Sequence, residues 1–387
     1  MINYGKQDIQ QEDIDAVCDV LKSDFLTQGP SVPKFEKTIG DFCGVNFAVA
    51  VNSATSALHV ALLSLDVGAN DYVWTTSNTF VASANCALYC GAKIDFVDID
   101  ETSYNMCIKA LEQKLVKSQN EGKLPKVVIP VHLTGQPCDM RAIYNLSKKY
   151  NFKIVEDASH AIGSTYHNKN VGSCEFSDIT IFSFHPVKII TTGEGGVALT
   201  KSKSLHTRLE LFRSHGITRN PELMERSVSG PWYYEQIELG FNYRMTDIHA
   251  ALGISQMGRI KEFIKKRNNI SVLYNRELQN LPITLPKISK DTTSAHHLYV
   301  IRLNLNKIAP LTHKMVFEEL RRRGIGVNLH YIPVHSQPYY QKLGFKWGDF
   351  PQAERYSREA ISLPIYPSLS HRDQLYVIDS LKEVLSQ

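Results

Sequence analysis

Cysteine is scarce in this sequence, and its few copies follow no pattern. Seven cysteines occur singly among the 387 residues, at Cys18, Cys43, Cys86, Cys90, Cys107, Cys138 and Cys174. An odd number without C-x-x-C pairs argues against both a disulfide framework and a zinc site, so we expect no metal. The spacing of Cys86 and Cys90 fits one helix face, but free cysteines are ordinarily small buried hydrophobic residues.

Long apolar runs and strong charge are also missing. No run has the length of a membrane span, and the opening residues MINYGKQDIQ lack the basic-then-apolar pattern of a secretory signal. The net charge is only +4, and its densest basic clusters, 261–267 and 321–323, fall within predicted helices. Nucleic-acid binding would need a larger basic stripe. We therefore expect a cytoplasmic protein with no membrane or nucleic-acid partner.

Apolar segments of strand length alternate with helical segments from Phe47 to about residue 250. The predicted strands are FAVAV (47–51), DYVWTT (71–76), KIDFV (93–97), KVVIPVHL (126–133), FKIVED (152–157), DITIF (178–182) and VALT (197–200). Strands separated by helices in this way indicate a mostly parallel sheet covered on both faces. The pattern predicts an α/β domain over residues 1–250.

The second half of the chain has a different texture. We predict one long or interrupted helix from Thr246 to Leu278, then the strand HLYVIRLNL, a helix from Thr312 to Arg323, the strand VNLHY (327–331) and two terminal helices. At 387 residues the chain exceeds a typical single domain. Residues 251–387 are therefore expected to form a smaller α/β domain.

One run, SFHPVKIITTGEGG from Ser183 to Gly196, lies between two predicted strands. It contains a single lysine, Lys188, followed by two threonines and a glycine cluster that can fold tightly around a ligand. A lysine enclosed at the end of a strand suits Schiff-base chemistry, because burial lowers the pKa of its amine from about 10.4. On its own such a lysine is more often a surface residue, so the interpretation depends on other segments.

Two earlier segments offer a place for a phosphate and a flat ring. NSATSALH (52–59) follows a strand and opens a helix whose positive end suits a phosphate, although N-capping by Ser53 is the simpler interpretation. Phe80 follows the next strand and is positioned to stack on an aromatic ring, although an aromatic residue there is more often core. Ser183, five residues before Lys188, is a further candidate contact for the same phosphate.

A carboxylate, Asp157, ends another predicted strand in the motif VEDASHAIG. Open α/β sheets bind ligands at the carboxyl ends of their strands, and a carboxylate there can pair with a pyridinium nitrogen. His160, three residues further on, would lie near the same ring. An N-cap role for the aspartate and a core role for the histidine are the structural alternatives.

Taken together and in order, these motifs resemble those of the sugar-nucleotide aminotransferases of the DegT/DnrJ/EryC1/StrS family, over essentially the whole chain. The matching segments are FLTQGP, NSATSALH, TFVASAN, EDASHAIG, SFHPVKIITTGEGG, LFRSHGI, GFNYRMTDIHAALGISQ and HHLYVI. The resemblance implies a fold-type I pyridoxal-phosphate transferase, with a large domain built on a mostly parallel seven-stranded type of sheet and a smaller C-terminal α/β domain. It also implies pyridoxal 5'-phosphate as cofactor, in its pyridoxamine phosphate form during the half-reaction.

Within the family, the Lys188 loop together with RSHGI and VNLHYIPVH is most similar to the branch that makes pseudaminic acid. That resemblance implies ping-pong transfer of an amino group from L-glutamate, which leaves as 2-oxoglutarate, to C4 of a UDP-linked 4-keto-6-deoxy-N-acetylhexosamine. The expected product is UDP-4-amino-4,6-dideoxy-N-acetyl-β-L-altrosamine. Ile189 replaces a family proline, and VNLHY replaces the more frequent VQVHY, which affects the expected sugar contacts.

The resemblance also assigns roles to individual residues. Lys188 is expected to hold the cofactor as a Schiff base and to carry a proton, while Asp157 keeps the ring nitrogen protonated. His160 is expected at the edge of the ring and Phe80 on its face. The expected phosphate contacts, which also border the substrate, are Ala54, Thr55, Ser183 and, from the second subunit of a homodimer with shared sites, Asn242. The expected sugar and UDP contacts are Tyr4, Asp24, Phe25, Leu26, Thr27, Asn328, Leu329, His330, Tyr331 and Tyr340.

The alternatives include other activities of the same family and functions of other classes. A relative acting on another 4-keto sugar, such as a UDP-D-hexosamine or a dTDP-sugar, is the nearest alternative. Dehydratases of the family replace the lysine with histidine, so Lys188 argues against them. A non-catalytic ligand-binding regulator has no need of Lys188, Asp157 and a phosphate cradle together. A nicotinamide oxidoreductase would carry G-x-G-x-x-G where this chain has NSATSA.

Overall fold

The computed structural model describes residues 1–386, and its strands and helices follow the predicted alternation closely. In chain order the strands are β1 (Phe47–Val51), β2 (Tyr72–Thr76), β3 (Lys93–Val97), β4 (Val127–Ile129), β5 (Lys153–Asp157), β6 (Thr165–Tyr166), β7 (Lys169–Asn170), β8 (Ile179–Ser183), β9 (Gly196–Thr200), β10 (Ile217–Thr218), β11 (Glu235–Gln236), β12 (Ile283–Thr284), β13 (Thr292–Thr293), β14 (Tyr299–Leu303) and β15 (Ala360–Leu363).

The α-helices fill the intervals between these strands. They are α1 (Gln11–Leu21), α2 (Ser31–Cys43), α3 (Ala54–Ser64), α4 (Ala82–Tyr89), α5 (Ile108–Glu121), α6 (Met140–Tyr150), α7 (Lys203–Arg213), α8 (Asp247–Gly258), α9 (Ile260–Leu278), α10 (His313–Arg322), α11 (Pro338–Gln341), α12 (Pro351–Glu359) and α13 (His371–Leu385). None of the helices within residues 1–386 has the length and apolar character needed to cross a membrane.

A seven-stranded sheet within the described residues has the order β1-β9-β8-β5-β4-β2-β3. Strand β9 pairs antiparallel with both of its neighbours, whereas the pairs from β8 to β3 are parallel. The predicted fold class, a mostly parallel sheet of the fold-type I kind, is therefore confirmed. Because β1 runs in the same direction as β8, the carboxyl ends of β1, β2, β5 and β8 lie along one edge.

The sheet is buried on both faces, which explains the nearly continuous apolar runs of its strands. Successive residues point to opposite faces of the sheet. Val73 and Ile181 pack in the first core, on one face, while Trp74 and Phe182 pack in cores on the opposite face. Helices α3, α4 and α7 contribute to the first core, and α2, α5, α6 and α8 contribute to those on the opposite face. A three-layer sandwich results.

A separate core, called the second core from here on, lies in the C-terminal part of the chain. It packs around the antiparallel sheet β12-β14-β15, and its helices are α10, α13 and the second half of α9. Helix α9 spans two cores, since Ile260 and Phe263 pack against the large sheet while Ile270 and Tyr274 pack in the second core. Ile2 also joins the second core and bridges to Ile325. The division predicted between residues 250 and 251 falls within α8, and the rest of α8 and the start of α9 pack against the large sheet.

The helix over 246–278, predicted as long or interrupted, is interrupted: it consists of α8 and α9, which meet at Arg259. Two details differ from the sequence prediction. The predicted strand VNLHY is wrong, because this segment pairs only through one bridge, between Asn328 and Ser362. Helices α2 and α7 were not predicted; both are short amphipathic segments that follow loops.

A buried carboxylate joins α1 to the junction of α8 and α9. Asp13 is 1% exposed and forms an ion pair with Arg259. Its Oδ1 accepts from the hydroxyl of Ser255 at 2.6 Å, and its Oδ2 accepts from the amide of Gln256 at 2.8 Å. This cluster fixes the first helix against the helix pair that supports the lysine loop.

Replacing Asp13 with alanine should lower the free energy of unfolding by about 2 kcal/mol or more, because Arg259 and Gln256 lose a buried acceptor. Urea-induced unfolding followed by circular dichroism measures the change. Asp15→Ala, on the exposed face of the same helix, is the matched control and should change stability by less than about 0.5 kcal/mol. Equal effects of the two substitutions would contradict a role for the buried cluster.

Candidate active site

The residues singled out in the sequence meet at the carboxyl edge of the large sheet. Segments 52–54, 77–80, 158–160 and 183–188 follow β1, β2, β5 and β8 at this edge. A segment of the second core reaches the same edge, since the backbone N–H of Tyr331 donates to Asn78 Oδ1 at 3.2 Å. The site is thus a cleft between the two parts of the chain, at the position where open α/β sheets bind ligands.

Lys188 lies in a loop of tight turns between β8 and β9 and is partly buried. Burial lowers the pKa of its amine to about 8, and the opposite charge of nearby Asp157 opposes that shift. About one such amine in ten is then neutral at pH 7, against about one in three thousand for an ordinary lysine. The loop therefore presents a nucleophilic amine close to a carboxylate.

Asp157 is buried, and three donors hold its carboxylate. Oδ1 accepts from the backbone N–H of Ser159 at 3.1 Å and from its hydroxyl at 2.6 Å. Oδ2 accepts from the hydroxyl of Ser83, on α4, at 2.6 Å. These hydrogen bonds fix the orientation of the carboxylate. The bond to Ser159 is the local turn expected of an aspartate, but the bond to Ser83 joins two distant segments.

A close backbone contact forms a concave surface next to Lys188. Ser183 lies opposite Gly196 in the pairing of β8 with β9, and Gly196 lies opposite Val51 in the pairing of β9 with β1. A Cβ atom on Gly196 would lie 2.6 Å from the nitrogen of Ala54. Only glycine therefore allows the start of α3 to lie against this strand.

The start of α3 presents free backbone donors to that surface. Ser53 is the N-cap of the helix, and its hydroxyl accepts the N–H of Ser56 at 3.1 Å. The capping interpretation is confirmed, and it leaves the N–H groups of Ala54 and Thr55 at the positive end of the helix. A phosphate bound here would accept from these groups and from Ser183.

His160 is neutral and makes two hydrogen bonds. Its Nδ1 accepts the backbone N–H of Thr134 at 3.3 Å, so Nε2 carries the proton and lies 3.2 Å from the hydroxyl oxygen of Tyr331. Burial, the charge of Lys188 and neighbouring His330 hold the pKa of His160 well below its ordinary value. This histidine therefore orients groups at the edge of the site, and its imidazole stays neutral at neutral pH.

A second histidine, His297, was missed by the sequence reasoning although it lies in the motif HHLYVI. Its ring centroid is 4.4 Å from that of His160. Burial, the neighbouring His160 and the charge of Lys188 hold its pKa well below the ordinary value. Ser83 and Ser159, which lie inside TFVASAN and EDASHAIG, were also missed, because sequence alone does not reveal which hydroxyl faces a carboxylate.

The segment 328–331 faces the lysine loop from the second core. His330 Nδ1 is hydrogen-bonded to the hydroxyl of Ser362 at 2.8 Å. Burial and, to a lesser extent, the charge of Lys188 lower the pKa of His330 to about 3. Its ring lies 5.1 Å from that of Tyr4, measured between centroids. Asn328 lies 3.3 Å from His330 Nε2, and Leu329 packs against the large core. The structure thus brings Tyr4 and 328–331 together.

Phe80 borders the opening of the cleft. Its side chain is 57% exposed, and its ring centroid is 6.1 Å from that of Tyr331. An exposed aromatic ring at this position is not part of the core. A flat ligand between Phe80 and the strand ends would cover it.

The remaining predicted residues lie elsewhere in the single chain. Segment 24–27 is exposed and runs beside the start of α8, where Leu26 accepts the backbone N–H of Asp247 at 3.0 Å. Asn242 is exposed too. Tyr340 is 2% exposed in the large core, with its hydroxyl on Asn85, so the geometry does not favour a sugar contact. Within residues 1–386, no hydrogen bond joins these residues to Lys188 or Asp157.

The three groups at this edge fit pyridoxal phosphate. A low-pKa lysine suits its aldehyde, a buried carboxylate suits its ring nitrogen, and a helix start against Gly196 suits its phosphate. Together with the sheet topology, they define a fold-type I pyridoxal-phosphate-dependent enzyme.

The chain belongs to the DegT/DnrJ/EryC1/StrS aminotransferase family, whose model matches residues 7–382. Members of this family are sugar aminotransferases that use pyridoxal phosphate.

Comparison with individual proteins gives the same family. The chain is 38% identical, over 100% of its length and 98% of the relative's, to the UDP-4-amino-4,6-dideoxy-N-acetyl-beta-L-altrosamine transaminase of Campylobacter jejuni. It is similar to the structure of Helicobacter pylori PseC, an aminotransferase of pseudaminic acid biosynthesis, with 31% identity, a TM-score of 0.89 and coverage of 100% and 99%. The pyridoxal-phosphate form of the putative sugar aminotransferase Spr1654 of Streptococcus pneumoniae gives 30% identity and a TM-score of 0.89, with coverage of 100% and 98%.

The pKa of Lys188 leads to a test of the lysine itself. The rate at which cofactor-free protein captures pyridoxal phosphate should rise about tenfold per pH unit below pH 8 and level off above it, because only the neutral amine reacts. Stopped-flow absorbance measures this rate. Borohydride reduction followed by peptide mapping should then locate the label on Lys188. A label on Lys201 or Lys203, or capture by Lys188→Ala at the same rate, would rule out the assignment.

Proposed function

We propose that this protein transfers the amino group of L-glutamate to C4 of a UDP-linked 4-keto-6-deoxy-N-acetylhexosamine. The expected substrate is UDP-2-acetamido-2,6-dideoxy-β-L-arabino-hex-4-ulose, and the product is UDP-4-amino-4,6-dideoxy-N-acetyl-β-L-altrosamine, as in pseudaminic acid biosynthesis. The observation that carries amino transfer is the low-pKa amine of Lys188 near the carboxylate of Asp157, which three hydrogen bonds hold. The identity of 38% to the Campylobacter jejuni altrosamine transaminase supports the choice of sugar.

Lys188 and Asp157 have complementary tasks in this reaction. Lys188 would bind the aldehyde of the cofactor, would be released when the amine of glutamate takes its place, and its free Nζ would then carry a proton to and from the reacting carbon. Its pKa of about 8 suits that task, because an amine with a pKa near the working pH both accepts and releases protons readily. Asp157 would hold a proton on the ring nitrogen. Bound pyridoxal phosphate supplies an electron sink for the carbanion that forms when the α-proton leaves.

The histidines of the site support Lys188 without competing for its proton. Burial and the charge of Lys188 keep the pKa values of His160, His297 and His330 below their ordinary value. At neutral pH these rings are hydrogen-bonding groups, so Lys188 is the residue suited to general acid–base work. His160 would orient the cofactor edge through its bond to Tyr331.

The second core supplies a surface suited to a sugar nucleotide. Tyr4, His330 and Tyr331 offer flat rings and neutral polar groups beside Lys188. Sugars and uracil are bound in this way, by ring contacts and neutral hydrogen bonds. We assign Asn328–Tyr331 and Tyr4 to the substrate side and Phe80 to the face of the cofactor ring.

The site is proposed to be shared between two copies of the chain. Asn242 and segment 24–27 are exposed in the single chain, although the neighbouring Tyr243 accepts the backbone N–H of Asn52, two residues before α3. A second subunit related by a two-fold axis would cover this surface and bring Asn242 to the phosphate of the opposite site. Each dimer would then contain two equivalent sites.

The sugar is the least constrained part of the proposal. Identity of 38% to the Campylobacter jejuni transaminase favours the altrosamine product, but the Streptococcus pneumoniae protein superposes with the same TM-score as PseC. An aminotransferase for a different UDP- or dTDP-linked 4-keto sugar is therefore the second candidate. It would use the same Lys188 and Asp157.

An assay with the two C5-epimeric UDP-4-keto sugars and L-glutamate decides between these substrates. We expect the purified protein to aminate the β-L-arabino epimer with a kcat/KM at least about tenfold above that for its epimer, since one well-placed contact discriminates by that factor. A coupled assay that monitors the release of 2-oxoglutarate gives the rate. Preference for the other epimer, or for a dTDP-sugar, would favour the second candidate.

Subunit mixing tests the shared site. Lys188→Ala and Asn242→Ala are each expected to be nearly inactive, and refolding them together should restore about a quarter of wild-type activity. Random assembly makes about half of the dimers mixed, and each mixed dimer has one sound site.

Two controls complete that experiment. The activity of Asn242→Ala alone is measured first, and native mass spectrometry shows whether mixed dimers form. If mixed dimers are present without any recovery, Asn242 serves the site of its own subunit or none.

A further inference from the structure

Two buried hydroxyl groups form a chain that ends on Asp157. Thr79 Oγ1 lies 2.8 Å from Ser83 Oγ, and Ser83 Oγ lies 2.6 Å from Asp157 Oδ2. Thr79 is 2% exposed, Ser83 is 0% exposed and Asp157 is 5% exposed. Thr79 and Ser83 belong to the segment that follows β2, whereas Asp157 ends β5. The chain therefore joins separate parts of the site.

The carboxylate of Asp157 determines which hydroxyl donates in each of these two hydrogen bonds. An ionised carboxylate accepts hydrogen bonds and donates none, so Ser83 donates to Asp157. The Ser83 oxygen is then free to accept the hydroxyl proton of Thr79. Donors aligned in one direction strengthen each other, so Thr79 makes Ser83 a better donor.

Counting acceptor positions shows what the chain leaves open. A carboxylate offers about two positions on each oxygen. Ser159 fills two on Oδ1, through its N–H and its hydroxyl, and Ser83 fills one on Oδ2. Because both oxygens are held, the carboxylate cannot turn. Oδ2 keeps room for one further donor.

We infer that Thr79 and Ser83 are positioning residues that hold Asp157 Oδ2 in place to accept from the protonated ring nitrogen of the cofactor. This inference rests on the proposed role of Asp157. Removal of either hydroxyl should weaken the contact with the ring nitrogen and leave the contacts with the aldehyde and the phosphate unchanged.

A cofactor analogue isolates that contact. In the 1-deaza analogue of pyridoxal phosphate a C–H replaces the ring nitrogen, while the aldehyde and phosphate are the same. The ratio of the two dissociation constants, measured on cofactor-free protein by absorbance titration, reports the contact with Asp157. A purely structural defect would weaken both ligands equally and would leave the ratio unchanged.

We expect Ser83→Ala to lower this preference for pyridoxal phosphate about tenfold, the lower end of the range for a hydrogen bond to a charged group. Thr79→Val should lower it about threefold, and should have no further effect when Ser83 is already alanine, because Thr79 acts through Ser83. Ser83→Thr, which keeps a hydroxyl, should restore the preference.

Thr75→Val is the matched control for Thr79→Val. Thr75 is buried on β2, and its hydroxyl donates to the carbonyl of Ile129 at 2.8 Å, away from Asp157. The control should leave the ratio at its wild-type value. If Ser83→Ala does not fold, the comparison of Thr79→Val with Thr75→Val decides the same question.

Asp157→Asn separates this inference from the proposed function. It should abolish the preference for pyridoxal phosphate, since an amide cannot hold the ring proton. If it does, and Ser83→Ala keeps the wild-type ratio or weakens both ligands equally, the positioning role is wrong while the role of Asp157 stands. If Asp157→Asn keeps the full preference, both the positioning role and the proposed role of Asp157 are wrong.

Discussion

The structure depends on a close backbone contact between Gly196 and the start of α3. A side chain at Gly196 would overlap the backbone of Ser53 and Ala54, so the contact exists only because the residue is glycine. The contact places the positive end of a helix against the strand that returns from the lysine loop. Ser183, its partner across the sheet, and Lys188 are thereby held at fixed positions relative to that helix end. The positive end of α3, the amine of Lys188 and the hydroxyl of Ser183 therefore lie along one rigid edge of the sheet.

Most of the large sheet could be predicted from the sequence, because buried parallel strands have a simple signature. Strands such as FAVAV and KIDFV were predicted with their observed bounds. Their apolar runs reflect burial on two faces. Helices α2 and α7 were missed, although Val32, Phe35 and Ile39 of α2 recur at helical spacing.

The site was predictable where a motif fixes the backbone, and not where side chains meet across the fold. Lys188, Asp157 and Ser183 lie at strand ends, so their convergence follows from topology alone. Ser83 is part of a recognised motif, yet its bond to Asp157 joins residues 74 positions apart in the sequence. VNLHY was predicted as a strand, but in the structure His330 and the backbone of Tyr331 hydrogen-bond to Ser362 and Asn78, which are distant in the sequence.

Residues 2–4 pack against segments that lie some three hundred residues further along the chain. Ile2 bridges to Ile325, and the carbonyl of Tyr4 accepts the N–H of Ile365 at 3.0 Å. Domains usually fold as the ribosome releases them, starting from the N-terminal side. Residues 2–4 therefore cannot take their final place until the segments around Ile325 and Ile365 have been synthesised. The face of the cleft that Tyr4 shares with 328–331 is thus completed only after residue 365 has left the ribosome.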